Sequence, residues 1–289
     1  RFLKSYWSSY RTRRGSMMTS TVLPQVATPV KRSKLRRSVN DCIVVTERNL
    51  VAYVRIPDQL FFSSVQPIMF VLLFRYVFGG AIDTPGMSYV DYLMPGIFVQ
   101  SLLFGCVSTS AGLAEDLQKG LIERFRSLPM ARSAVLFGRT ISDAVRNVFV
   151  MILITLVGFA VGFRIGTSFG LYLVAFGLLI LFAFCFSWVF AFIGLSASNS
   201  ETAGLMAFPI LFPLTFASTA FVPAESMPTW LRWFAEHQPV SIAVNATRGL
   251  MQGGPGADTT HWVVMTLIWS AIFLVVFVPV AVWRYRRVG

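Results

Sequence analysis

Charge is what this sequence has least of: Asp, Glu, Lys and Arg make up 13% of its 289 residues, where soluble globular domains carry about 25%. Cysteine and histidine are scarcer still. Cys42, Cys106 and Cys185 are odd in number and far apart, which offers neither a disulfide framework nor a metal-ligand spacing. His237 and His261 are likewise isolated, and no metal site is expected. The chain has no Gly-x-x-x-x-Gly-Lys-Ser/Thr loop, no Gly-x-Gly-x-x-Gly fingerprint and no His-Glu-x-x-His pair, so it carries no P-loop ATPase of its own. Carboxylates are nearly missing from the apolar runs, where ion-coupled carriers need proton or sodium relays. Acidic residues are few overall, which leaves a formal net charge of +12. That excess is no nucleic-acid signal, because 12 of the 25 Lys and Arg fall within residues 1–58.

What the chain does have is apolar surface. Its composition is 55% hydrophobic and 15% aromatic, with a mean hydropathy of +0.65. Six runs, Leu60–Gly80, Met94–Leu113, Ile141–Phe163, Leu171–Leu195, Ala203–Val222 and Trp262–Trp283, each approach the ~20 residues that a helix needs to cross ~30 Å of hydrocarbon. Open sheets are excluded inside lipid and nothing alternates as a barrel would, so an all-α polytopic membrane protein of six transmembrane helices is expected.

The domain plan follows. Residues 1–37 are basic and polar and are expected to be a disordered cytoplasmic tail leaning on anionic membrane lipids. The first residue is Arg, so Met17 or Met18 could be the natural start. Residues 38–57 are expected to form an interfacial amphipathic helix, with Ile43, Val44, Leu50, Val51 and Val54 set against Asp41, Glu47, Arg48 and Arg55. Residues 58–289 are expected to form the six-helix transmembrane domain. Lys and Arg cluster in the tail, in the 114–140 island and at Arg284, Arg286 and Arg287, and are sparse in the other loops. This asymmetry places both termini and the island in the cytoplasm of a multi-pass plasma-membrane protein. Within the spans, Arg75 either snorkels to the outer interface or lines a transport path. Gly105, Ser108, Thr109, Ser110 and Gly112 make a small, polar face suited to close helix packing. Asp143 and Arg146 are expected at the membrane interface. The outer 223–261 segment suggests two short helices resting on or dipping into the outer leaflet, and Asn245-Ala246-Thr247 fits a glycosylation sequon.

The island Ala114–Thr140 carries the most organised charge. Leu117, Leu121, Phe125 and Leu128 recur at helical spacing on one face, and Asp116, Lys119, Glu123 and Arg126 on another. Glu115/Lys119 and Lys119/Glu123 are supporting i,i+4 pairs, Gly120 permits close approach, and Pro129 ends the helix. The competing reading is a solvated connector whose charges only set orientation.

These residues also carry a resemblance. EDLQKGLIERFRSLPMARSAVLFGRTISDAVRN is similar to the cytoplasmic signature of type-2 ABC-transporter permeases, in particular the membrane subunit of daunorubicin/doxorubicin-resistance exporters. QPIMFVLLFRYVFGGAI and the stretch from Asn199 to Leu250 extend it in the family's order. The resemblance implies a dimer with a second permease copy or paralogue, an outer re-entrant helical pair, and energy from a separate ATP-binding subunit that holds the ATP and Mg. This chain would then bind no cofactor and be no enzyme. It implies that Glu115, Asp116, Lys119, Gly120, Glu123, Arg124, Phe125, Arg126, Pro129 and Arg132 form the coupling helix region that docks on the ATPase. The substrate class implied is an amphipathic drug, polyketide or lipid. Two other classes compete: an ion-coupled multidrug carrier with no ATPase partner, and a membrane-embedded enzyme, which would need a convergent His, Asp, Glu or Ser set that the spans lack.

Overall fold

The computed structural model describes residues 34–289 other than 56, 81, 83, 85, 121–131, 254–257 and 288–289. Among the described residues the structure is helical, with no strand. The amphipathic segment forms α1 (Lys34–Arg55), starting a few residues ahead of the expected boundary. Next come α2 (Pro57–Leu73), which runs into a π-helical turn at Phe74–Phe78, and α3 (Tyr89–Gln118). Then α4 (Arg132–Ala160), α5 (Phe169–Ser196) and α6 (Ser200–Phe216) follow. A 3₁₀ turn at Ala224–Ser226 precedes α7 (Thr229–His237), α8 (Pro239–Gln252) and α9 (Thr259–Arg287).

Local chemistry explains several boundaries. Ser88, Ser168 and Asn199 sit in extended conformation before α3, α5 and α6, and each side-chain oxygen accepts a backbone N–H of the first turn. Gly253 closes α8 in the left-handed region at φ +62. Among the described residues, four helices are long and apolar enough to cross a membrane: α3, the Leu136–Ala160 part of α4, α5 and α9. The expected first and fifth spans coincide with two shorter apolar helices, Ser64–Phe78 and α6. At 17 residues, α6 reaches only about 25 Å at 1.5 Å per residue. Pro209 and Pro213 remove backbone donors inside it, and Pro67 does so in α2.

The core of the bundle is the α3–α5 pair. Leu93, Met94, Ile97, Phe98, Leu102 and Leu103 of α3 meet Leu179, Phe182, Phe186 and Phe190 of α5. α5 is 78% buried along its apolar window, whereas α9 is 17% buried. Chain length does not separate those two helices; position does. α9 packs on α5 and α8 with one face and shows Val264, Leu267, Ile272 and Val275 outward. An apolar outer face of this kind suits lipid rather than water.

Candidate functional site

Charge, rare in this sequence, is concentrated in one row where α1, α3 and α4 meet. Arg48 of α1 lies 3.6 Å from Asp116 at the end of α3, and Arg139 of α4 approaches the same carboxylate at 3.8 Å. One turn further along α4, Asp143 stands 4.0 Å from Arg139 and 3.8 Å from Arg146. The order is Arg48, Asp116, Arg139, Asp143, Arg146, with signs alternating throughout. Asp143 and Arg146 are buried, and Asp143 is the one buried carboxylate among the described residues. Buried charges persist only when paired and hydrogen-bonded. Here Thr109 Oγ1 donates to Asp143 at 2.6 Å, Arg146 donates to the Gly105 carbonyl at 2.7 Å, and Arg139 to the Ser108 carbonyl at 3.3 Å.

The fit depends on two glycines. Gly105 and Gly112 lie seven residues apart on α3, as do Arg146 and Arg139 on the antiparallel α4. A Cβ on Gly112 would overlap the Arg139 guanidinium, and one on Gly105 would stand 3.0 Å from Arg146 Nη2 and 2.8 Å from Asn147 Oδ1. The small face of α3 is therefore a seat for arginines. α1 is tied to the same surface: Thr46 Oγ1 donates to the Gly138 carbonyl, Ser142 Oγ donates to the Thr46 carbonyl, and Val45 fills the space over Gly138.

The residues singled out from the sequence fall as follows. Glu115 is exposed and pairs with Lys119 just past the helix end, a hydrogen bond that raises the pKa of the Lys119 ammonium. Leu117 packs with Leu113 and Leu136, and the other members of the expected stripe, Leu121, Phe125 and Leu128, lie outside the described residues. Asp116 departs from the expected docking face, because its side chain turns inward between Arg48 and Arg139. Nor is there one helix from Glu115 to Leu128. α3 stops at Gln118, and Gly120 takes φ +64, where Lys119 and Gly120 N–H groups return to the Glu115 and Leu117 carbonyls. A residue without Cβ adopts that left-handed turn at no steric cost, so the glycine ends the helix. Glu123, Arg124, Phe125, Arg126 and Pro129 lie outside the described residues, and Arg132 opens α4 with its side chain outside them. Asp143 and Arg146, expected at the interface, are enclosed by protein. Arg75 sits in the π-helical turn, half-buried, with its Nε lacking a hydrogen-bond partner among the described residues.

At the other end of α3, Arg248 of α8 makes a different seat. It donates to the Tyr92 carbonyl at 3.2 and 3.3 Å, to the Thr219 carbonyl at 2.8 Å and to Asn245 Oδ1 at 2.9 Å. Its guanidinium lies 3.7 Å from the Tyr92 ring centre. Asn245 Oδ1 also accepts from Thr219, so the sequon asparagine serves packing. The string Gly166-Thr167-Ser168-Phe169-Gly170 has nucleophile-elbow spacing, yet Ser168 caps α5 by accepting the Leu171 N–H.

With that geometry in place, the comparisons are specific. The family model for the ABC-2 type transporter matches residues 40–251. The chain is 35% identical over 241 residues to the daunorubicin resistance ABC transporter permease protein DrrB1 of Streptomyces coeruleorubidus, covering 83% of this chain and 84% of that protein. It is 26% identical to the probable doxorubicin resistance ABC transporter permease protein DrrC of Mycobacterium tuberculosis, over 90% of this chain and 93% of that one. It is 30% identical to the doxorubicin resistance ABC transporter permease protein DrrB of the same species, over 72% and 73%.

Proposed function

The chain belongs to the ABC-2 type transporter family, and from that premise we propose that it is the membrane subunit of an ATP-driven exporter for an amphipathic compound. It is a multi-pass membrane protein, and we read α2 and α6 as spans beside the four long ones, making six. The Lys/Arg asymmetry supports a cytoplasmic location for the Asp116 end. A second permease copy and a separate ATP-binding subunit complete the assembly, and that subunit docks at the end of α3, where Glu115 and Lys119 are exposed. The compound exported is of the kind named for its relatives, an antibiotic-like drug, or a lipid.

The observation that carries this reading is the double clasp on Asp116. A push on the segment after Gln118 reaches Asp116 first. From there it passes to the interfacial helix through Arg48 and into the membrane-embedded part of α4 through Arg139. Ion pairs of 3.6–4.0 Å are loose enough to re-form at a shifted register, so the row can slide as well as hold. The alternative, an ion-coupled carrier, needs a carboxylate open to protonation; Asp143 already has two arginines and a threonine on it.

Vesicles reconstituted with the chain and its ATP-binding partner test the proposal. Efflux should require ATP and persist with a protonophore. Efflux that runs without ATP and collapses with the proton gradient would contradict it.

A further inference from the structure

The row of charges from Arg48 to Arg146 alternates in sign, so it starts and finishes on arginine and carries three cations to two carboxylates. Arg48 holds the open end, with 38% of its side chain exposed to solvent. The Arg146 side chain, 4% exposed, holds the enclosed end. Asp143 stands 3.8 Å from it and is shared with Arg139. Solvent can balance the first arginine, whereas a cation at the enclosed end needs a partner inside the protein.

A cavity of about 120 Å³ opens against that end, between α2, α3 and α4. Its polar lining is Gln66 from α2, Gln100 and Ser108 from α3, and Arg146 and Asn147 from α4. None of the described residues that line it is acidic. Gln100 is 3% exposed, and its amide nitrogen has no hydrogen-bond partner among the described residues. A buried donor left in that condition costs its full desolvation. Asn147 accepts from Arg146 Nη2 at 3.4 Å through its side-chain oxygen, which leaves its amide donor to offer. Amide donors beside a guanidinium, with no carboxylate among them, suit a negative ligand. The volume takes a small ion with a water or two and is well below the ~300 Å³ at which pockets for drug-sized ligands begin.

We infer that this cavity binds one small monovalent anion of chloride size, held by the Gln100 and Asn147 amides and balancing Arg146. The ion continues the alternation by one step and brings the row to three charges of each sign. A divalent anion would tip the balance the other way. Attraction between opposite charges strengthens as the surroundings become less polarisable, which favours the ion at this enclosed end over one at Arg48. The inference stands on the row and the cavity, not on the exporter reading.

The test uses the purified full-length chain in lipid nanodiscs at constant ionic strength, with gluconate, which is too large for the cavity, replaced stepwise by chloride. Bound radioactive chloride and the thermal midpoint are read together. Chloride should bind saturably, and the midpoint should rise along the same curve. Gln100→Leu removes the donor and should weaken chloride affinity about tenfold, as loss of a hydrogen bond to a charged ligand implies. In gluconate this variant should be no less stable than the parent, because it also removes an unpaired buried amide. Gln100→Glu places a fixed negative charge in the same cavity, so its midpoint should no longer respond to chloride. Should one variant fail to insert, the parent's titration and the other variant decide. Parental protein with no saturable chloride binding would mean that water alone fills the cavity and would overturn the inference. Chloride affinity unchanged in Gln100→Leu or in Gln100→Glu would overturn it too, by placing the ion elsewhere.

Discussion

α3 seats an arginine pair at one end and a single arginine at the other, and the two seats are made differently. Arg139 and Arg146 are held by carboxylates at 3.8–4.0 Å together with the Ser108 and Gly105 carbonyls at 3.3 and 2.7 Å, across an interface whose closeness depends on glycines. Arg248 is held by neutral oxygens at 2.8–3.3 Å with an aromatic ring over its face. A carboxylate pair has a long-range attraction that survives a shift of an ångström or two, whereas a hydrogen bond to a carbonyl weakens steeply with distance and angle. The ion pairs of the first arrangement tolerate sliding, whereas its carbonyl bonds, and the whole of the second arrangement, resist it. The end with ionic contacts is also the end where the chain leaves α3 toward its proposed partner. The neutral seat instead locks α8 onto α3 and the Thr219 turn.

The sharpest way to break the contrast is Asp143→Ala. Arg139 and Arg146 would then face each other across a buried gap, and removing one partner of a buried ion pair costs about 3–5 kcal/mol. Thermal unfolding of the detergent-solubilised protein should drop markedly, and efflux with it. Asp143→Asn, which keeps an acceptor for Thr109, should recover part of the stability and none of the ionic character.

Next in size is Gly112→Ala. Its Cβ would occupy the space of the Arg139 guanidinium, and overpacking a close interface costs about 1–3 kcal/mol. The same change at Gly105 should be milder, because the nearest atoms there stand at 2.8–3.0 Å and belong to side chains that can give. Unfolding midpoints in the order parent, Gly105→Ala, Gly112→Ala would support the seat; the reverse order would not.

Arg248→Lys probes the other end. The charge stays but the fork that reaches two carbonyls and Asn245 is lost, and each hydrogen bond of a charged group is worth about 1.5–3 kcal/mol. This variant should lose stability while its ATP-driven rate per folded molecule stays near the parent's, because its seat holds rather than transmits. Smallest of all is Glu115→Gln. The Glu115–Lys119 pair is exposed, so no change in the unfolding midpoint is expected.

Much of this was legible in the sequence, and for physical reasons. Helical class, the amphipathic helix before the first span and the small face of α3 all follow from periodicity and composition. Asp116 shows where periodicity stops. Spacing puts it on one face with Lys119, but only the approach of α1 and α4 turns that carboxylate inward. The Arg139/Arg146 spacing matches Gly112/Gly105, a signal present in the sequence but without meaning until the two helices are known to be antiparallel neighbours. Gly120 was readable as a weak point of a helix and is in fact its end. The short reach of α6 was foreshadowed by Pro209 and Pro213, whose effect on a span depends on what surrounds it.

The central claim is that Asp116 relays motion to both Arg48 and Arg139, and a double-mutant cycle on the first contact tests it most directly. Arg48→Gln, Asp116→Asn and the double variant are reconstituted with the ATP-binding partner, and ATP-driven efflux and co-purification of that partner are measured together. Each single variant is expected to bind the partner normally yet export about tenfold less, with the double variant no worse than Asp116→Asn alone, as for two groups acting through one contact. Parental efflux in all three, or losses that simply multiply in the double variant, would contradict the relay.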